Sequence, residues 1–311
     1  MLGIALAFAL LGGIMWLLDL PFKRKIKNSK SLEESLRARR RLRRFRRFWS
    51  VVLIVFFTVF IFILFIDLGK RPNVGMIIAF AITEGWARLR GNVQANSRDE
   101  YLAQHEEKGY ILYLRAFESD YYSKDPKSFS FESKLAKAVQ FHKDFCAIGM
   151  TKELDAPYGA THVYVSDESW KEDVKMLMEK AEVVFILMNE RQSCIWEISQ
   201  STDMLSKTCF IIDNESRYEK IRNELNNIHF PSIDQLIEKI DDDNKPKRGI
   251  PPPSKTREEF ADETIKLGFV LNGDGFSALK VDQLENFVSG VLRIVRFSEP
   301  KTCQSPDFVA N

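Results

Sequence analysis

The sequence predicts an α/β fold, in which helices cover both faces of a parallel sheet, preceded by two or three transmembrane helices. From about residue 110, short apolar runs rich in β-branched residues alternate with stretches whose apolar residues recur at helical spacing. This alternation is typical of βαβ units. Earlier in the chain, the run 48–66 holds 19 residues without a charge, which is long enough for a helix to cross a bilayer.

The membrane prediction covers residues 1–90. Besides 48–66, the uncharged segment 2–18 just reaches across the hydrocarbon core. A third apolar segment, 74–87, is short and interrupted by Glu84. It is either a third crossing or a re-entrant or interfacial helix.

A basic segment, residues 19–47, separates the first two apolar runs, and it contains the arginine cluster Arg39–Arg47. Arginines at this density bind nucleic acid or an acidic partner, or they set membrane topology and contact anionic lipid headgroups. Because the cluster adjoins an apolar run, the lipid interpretation is favoured and no nucleic-acid partner is expected. Segments 19–47 and 100–311 are then expected to be cytoplasmic, in a multi-pass protein of the inner (cell) membrane. This placement of 100–311 requires 74–87 to cross the membrane, because two spans alone would put it outside.

Residues 108–240 form the predicted α/β domain, followed by a charged, proline-rich linker or loop at 241–258 and a segment at 259–311 that packs on the domain. The predicted strands are 110–115, 145–148, 161–165, 183–188 and 208–212, and the predicted helices are 129–141, 170–180, 196–205, 221–240 and 283–295. Asn272–Gly275 is expected to be a turn.

Sequence signatures exclude several kinds of site. The 45 Lys and Arg nearly balance the 43 Asp and Glu, and the four cysteines and four histidines form neither a CxxC nor an HExxH motif. No metal site is therefore expected. Neither GxGxxG nor GxxxxGK[ST] occurs, which disfavours a Rossmann dehydrogenase and a P-loop ATPase.

The segment Ala181–Gln200 organises the functional hypothesis. A buried apolar run leads into a polar loop, and then Trp196 and Glu197 enter a helix. Open α/β sheets bind ligands outside the carboxyl ends of their strands, so Glu197 is the first candidate for chemistry.

Three segments together resemble a Toll/interleukin-1 receptor (TIR) domain. They are Leu112-Tyr-Leu-Arg-Ala-Phe-Glu-Ser-Asp120, the Gly149 loop, and the strand that leads to Ser193-Cys-Ile-Trp196-Glu197. The set is also similar to bacterial membrane proteins with a TIR-like domain. The resemblance spans about residues 108–215. It departs from the TIR pattern in one respect, because Trp196 and Glu197 are adjacent whereas the TIR glutamate lies about one helical turn beyond the tryptophan.

The resemblance implies cleavage of an N-glycosidic bond in NAD or a related nucleotide. Loss of nicotinamide leaves an oxocarbenium-like ribose, which a carboxylate stabilises, and Glu197 is the residue expected in this role. No cofactor is expected, since the nucleotide is itself substrate or ligand. The expected ligand-binding residues are Arg115, Phe117, Ser119, Asp120, Gly149, Trp170, Ser193 and Trp196.

Several of these residues also have a structural interpretation. Arg115 forms either a bidentate phosphate contact or a salt bridge to a nearby carboxylate. Trp170 and Trp196 form either an aromatic wall or core packing. Ser193 is expected to cap the helix that carries Glu197, and Glu197 itself is either catalytic or a charge that favours the helix amino-terminus.

Two classes of function therefore remain open. One is a membrane-anchored nucleotide glycohydrolase in a defence or signalling response. The other is a non-catalytic module that senses a nucleotide or self-assembles and acts through its membrane helices. In both, homo-oligomerisation through the membrane helices and the TIR-like domain is expected.

Overall fold

The computed structural model describes residues 17–68, 96–105, 107–114, 131–140, 142–151, 159–243, 256, 259–260, 266–272 and 275–298. The strands are β1 Tyr110–Leu114, β2 Asp144–Met150, β3 Thr161–Val165, β4 Val183–Leu187, β5 Thr208–Ile212, β6 Lys266–Asn272 and β7 Gly275–Val281. The helices are α1 (17–27), α2 Leu32–Leu68, α3 Arg98–His105, α4 Phe131–Val139, α5 Trp170–Lys180, α6 Gln192–Gln200, α7 Glu215–Glu224, α8 Ile233–Asp243 and α9 Leu284–Ser298.

The strands form one seven-stranded mixed sheet in the order β3-β2-β1-β4-β5-β6-β7. β1 pairs in parallel with both β2 and β4, and β4 pairs in parallel with β5. The expectation of a wholly parallel sheet was wrong at one edge, because β6 and β7 pair antiparallel. The chain moves outward from β1 in one direction through β2 and β3, and in the other through β4 and β5, so the order reverses between β1 and β4.

Helices cover both faces of the sheet, as predicted. On one face, α4 and α9 pack on alternate residues of the central strands, including Tyr113, Phe185 and Ile211. On the other face, Phe210 contacts Phe230 and Phe269, and the hydroxyl of Tyr110 donates to a carbonyl in α5 at 2.7 Å. β1, β4 and β5 are buried along their whole length, as strands covered on both faces must be.

Five of the strands were predicted, and β3 and β5 have the predicted bounds. The hairpin β6–β7 was missed, although the turn between Asn272 and Gly275 was identified and these two residues form its last pair. The single helix expected over 221–240 is interrupted at 225–232, the segment that contains Pro231. Proline has no N–H to donate and clashes with the preceding turn of a helix.

The described residues fall into two compact units, one formed by 1–100 with 149–158 and 162–169, and the other by the remaining chain. In the first unit, α1 and the start of α2 form a helical hairpin. Ile26, Ala38 and Leu42 are its buried core, and Arg46 pairs with Asp19 at 2.8 Å. The basic segment 19–47 is therefore helical except at residues 28–31, which connect the two helices.

The run 48–66 is helical, as predicted, and belongs to α2. Segments 74–87 and 2–16 lie outside the described residues. Among the residues that the structure describes, no helix combines the length and the apolar character needed to cross a membrane.

Candidate functional site

Helix α6 carries Glu197 and begins directly beyond the carboxyl end of β4. The side chain of Asn189 shapes the connection, since its oxygen accepts from the backbone N–H of Arg191 at 3.0 Å and its amide donates to the carbonyl of Leu187 at 3.2 Å. The cap position is Arg191, which makes no side-chain capping hydrogen bond. The prediction that Ser193 caps this helix was therefore wrong, because the helix starts at Gln192 and includes Ser193 in its first turn.

The Glu197 side chain is only 6% exposed, on the face of α6 that also buries Cys194 and Ile198. Burial raises the pKa of Glu197 to about 8, because a charged carboxylate loses hydration there. No hydrogen bond or ion pair from the described residues supports the charge. At neutral pH the folded protein therefore holds Glu197 mostly in the neutral acid form. This differs from the ionised carboxylate that stabilisation of an oxocarbenium ion requires.

Trp196 and Trp170 contact each other instead of forming a wall beside Glu197. Their ring centroids are 4.7 Å apart at 71°, an edge-to-face arrangement between α6 and α5. The ammonium of Lys171 lies 5.7–5.8 Å from both rings, within range of a cation–π interaction. Adjacent residues of a helix point about 100° apart and do not face each other. The aromatic pair and Glu197 are thus on different sides of α6.

Five predicted ligand residues remain. Arg115, Phe117, Ser119 and Asp120 lie outside the described residues. Gly149 is buried inside β2, which extends to Met150. The expected Gly149 loop was therefore wrong, because the strand continues through this glycine.

Polar side chains that the sequence analysis did not single out gather at the carboxyl end of β5, beside the start of β6. Asp213 follows β5 and accepts from Nη1 of Arg217 at 3.1 and 3.2 Å. Lys266 begins β6, which runs antiparallel to β5, and its ammonium lies 3.7 Å from Asp213. The same ammonium is 5.4 Å from the ring centroid of Phe131, at the start of α4. We call Asp213, Arg217 and Lys266 the edge cluster. Its sequence signal was an Asp-Asn pair directly after a strand.

Not all arginines of the basic helix α2 are exposed. Arg39 is buried, where its guanidinium donates to the carbonyl of Thr151 at 3.1 Å and lies 3.8 Å from the ring centroid of Tyr164. Arg39 is therefore held by protein groups, and contact of the cluster Arg39–Arg47 with anionic lipid headgroups stays a prediction. Burial, and then the charges of Arg47 and Arg40, lower the pKa of Arg43.

Within the described part of the chain, no group of three or more His, Cys, Asp or Glu side chains could hold a metal ion. The described cysteines, Cys146, Cys194 and Cys209, are free and buried.

No protein-family model, curated protein or solved structure matches this chain. The structure thus defines an α/β protein whose strand order reverses between β1 and β4, and the TIR resemblance stays a prediction.

Proposed function

We propose that this chain is a nucleotide-binding α/β module whose bound nucleotide acts as a signal and is not hydrolysed through Glu197. The observation that carries the proposal is the edge cluster, which lies beyond the carboxyl ends of the central strands. Open α/β sheets bind nucleotides outside these ends, in the crevice where the strand order reverses. In this sheet the reversal lies between β1 and β4, and the edge cluster lies on the same edge one strand further along, at the end of β5. The order 3-2-1-4-5 within this sheet is the order of the doubly wound dinucleotide-binding folds.

The edge cluster has the chemistry to recognise a nucleotide. Among the described residues, Arg217 uses only Nη1 on Asp213, which leaves Nη2 and Nε for a phosphate, since guanidinium groups bind phosphates through paired N–H donors. Lys266 supplies a second positive charge at the same edge. Asp213 can accept hydrogen bonds from ribose hydroxyls, as an acidic residue does in dinucleotide-binding folds.

The second candidate is the glycohydrolase that the TIR resemblance implies, with Glu197 as the catalytic carboxylate. One observation favours it: a buried carboxyl group with a strongly raised pKa is characteristic of catalytic sites. If the ionised form is the reactive one, turnover must increase with pH up to about 8, since only a minor fraction is ionised at neutral pH.

The proposal includes attachment to a membrane through the apolar segments 2–18 and 48–66, with 74–87 as a further crossing or an interfacial helix. The sequence supports this attachment, because segments 2–18 and 48–66 contain no charged residue. The bilayer is then the partner through which the bound nucleotide has its effect, and self-association of the chain is the expected route of signalling.

The test uses the full-length protein in detergent micelles. Calorimetric titration with NAD, ADP-ribose and ATP measures binding, and chromatography of the incubated nucleotides measures turnover. The proposal expects binding without turnover, and Arg217→Ala should weaken binding about tenfold or more, since a charged hydrogen bond contributes roughly 1.5–3 kcal/mol.

Arg222→Ala is the matched control. It removes another guanidinium from α7 with a similar exposed fraction, 36% against 38% for Arg217. Equal affinity of the parent and the Arg217 variant for every nucleotide contradicts the edge cluster as the binding site. If the parent hydrolyses a nucleotide and Glu197→Gln abolishes this turnover, the result supports the glycohydrolase instead.

A further inference from the structure

The helical hairpin of the first unit contains a pocket of about 360 Å³. Lys25 of α1 lines one side, and Arg37, Ala38 and Arg41 of α2 line the other. Ser31, directly before α2, and Glu34, in its first turn, complete it. Three cationic side chains thus face one carboxylate, which favours an anionic occupant.

The carboxylate in the pocket has a structural role. Ser31 Oγ accepts from the backbone N–H of Glu34 at 3.3 Å, and the Glu34 carboxylate accepts from the backbone N–H of Lys30 at 3.2 Å. This arrangement is a variant of the capping box, in which the glutamate accepts from the N–H of Lys30, one residue before the Ser31 cap position, instead of from the cap residue itself. Glu34 is therefore present because the helix begins there, which explains a carboxylate among the cations.

The cations of the pocket are available to a ligand. Among the described residues, neither Lys25 nor Arg41 has a hydrogen-bond or ion-pair partner. Arg37 pairs with Glu33 one turn earlier on the same helix, with both side chains more than 60% exposed. Exposed pairs of this kind contribute little free energy, so an anion in the pocket can compete for Arg37.

We infer that this pocket is a binding site for a phosphate group, which Lys25, Arg37 and Arg41 hold together. Two sources have this chemistry, the phosphodiester of an anionic lipid headgroup and a free phosphate. The inference is independent of the nucleotide proposed for the edge cluster, because it concerns different residues in the other compact unit.

The test compares the full-length protein with a double variant, Lys25→Ala/Arg41→Ala. The control is Lys27→Ala/Arg44→Ala, which removes the same charge from exposed positions of the same hairpin that do not line the pocket. Two assays are run: co-flotation with phosphatidylcholine vesicles that contain or lack phosphatidylglycerol, and calorimetric titration of the protein in micelles with inorganic phosphate.

The pocket variant should bind at least about tenfold more weakly than the control, since it loses charged hydrogen bonds to the phosphate in addition to the surface attraction of any nearby Lys or Arg, which both double variants lose. If the pocket variant loses binding only to vesicles that contain phosphatidylglycerol, the ligand is a lipid phosphodiester. If it loses affinity in the titration with inorganic phosphate, the ligand is a free phosphate. An equal loss of affinity in both double variants overturns the inference, because binding then depends on the overall positive charge of the hairpin and not on the pocket. Binding to neither probe overturns it as well.

A third variant changes affinity in the opposite direction, which misfolding cannot imitate. Glu34→Gln keeps a side chain that can complete the capping box and removes the negative charge from the pocket. Its affinity for the anionic probe should exceed that of the parent about fivefold, by the contribution of one charge near an anionic surface. An unchanged or lower affinity, with the helical content of the parent, contradicts a phosphate held inside the pocket.

Discussion

Replacement of Glu197 by glutamine should remove a pH-dependent loss of stability. The folded state holds the pKa of Glu197 at about 8, whereas the ordinary value is 4.5. Between these values the folded protein keeps the proton and the unfolded chain releases it. The unfolded state then binds fewer protons, so the free energy of unfolding decreases as pH rises through this window. The decrease amounts to about 3 kcal/mol between about pH 4 and pH 7.

The variant Glu197→Gln is neutral at every pH and lacks this contribution. Its amide adds a constant cost, because burial of an unpaired polar group is unfavourable, so the informative quantity is the slope with pH. The melting temperature of the parent should fall relative to the variant by roughly 6–12 °C across the window, for a domain of this size.

The assay is thermal unfolding of both full-length proteins in micelles at a series of pH values. Glu172→Gln is the control, since it makes the same change at an exposed position of α5 and should follow the parent. Parallel pH profiles for the parent and the Glu197 variant would refute the reasoning, because Glu197 would then titrate alike in both states. The same series measures nucleotide turnover, which the second candidate function expects to increase with pH and to vanish in the variant.

Three further outcomes follow from the packing. Val184→Asp places a charge in the middle of β4, where the side chain is fully buried; it should cost several kcal/mol, and native circular dichroism would contradict it. Gly268→Ala brings a Cβ within 2.5 Å of Phe287 and should lower the free energy of unfolding by about 1–3 kcal/mol. Gly290→Ala, 3.3 Å from a flexible leucine, should be tolerated, and equal melting temperatures would contradict this difference. Burial raises the pKa of Cys209, so a thiol reagent should modify it only after denaturation; rapid labelling of the native protein would refute this.

The parallel strands were predictable because their sequences fit only one kind of secondary structure. A run such as Val183–Leu187 is short, continuous and rich in β-branched residues, which fits a strand buried on both faces. Its neighbour β5 was predicted for the same reason, and both are fully buried. In the hairpin β6–β7, β7 is only partly buried and has no such run, so its sequence did not indicate a strand. β6 does contain a buried apolar run, 267–271, and the same criterion could have identified it.

The helical hairpin was not predictable from charge alone. Arginine has a high helix propensity, but a dense basic segment is equally compatible with a solvated loop. The decisive contacts are distant in sequence, as when Ser35 donates to the carbonyl of Thr151 at 2.7 Å and Arg39 lies on Tyr164. Because the burial of Arg39 depends on these partners, its position in a run of arginines could not reveal it.

The candidate site shows why adjacency in sequence is a poor guide to adjacency in space. Trp196 and Glu197 were considered together because they are consecutive, yet a helix directs them to different sides, one toward Trp170 and the other into the interior. The edge cluster has the opposite property, because Asp213 and Lys266 are far apart in the chain and meet where an antiparallel strand returns to the carboxyl edge of β5. A pattern search along the chain finds the first kind of pair and misses the second.

The functional question therefore reduces to two measurable quantities: the fraction of Glu197 that is ionised, and the affinity of the edge cluster for a nucleotide phosphate.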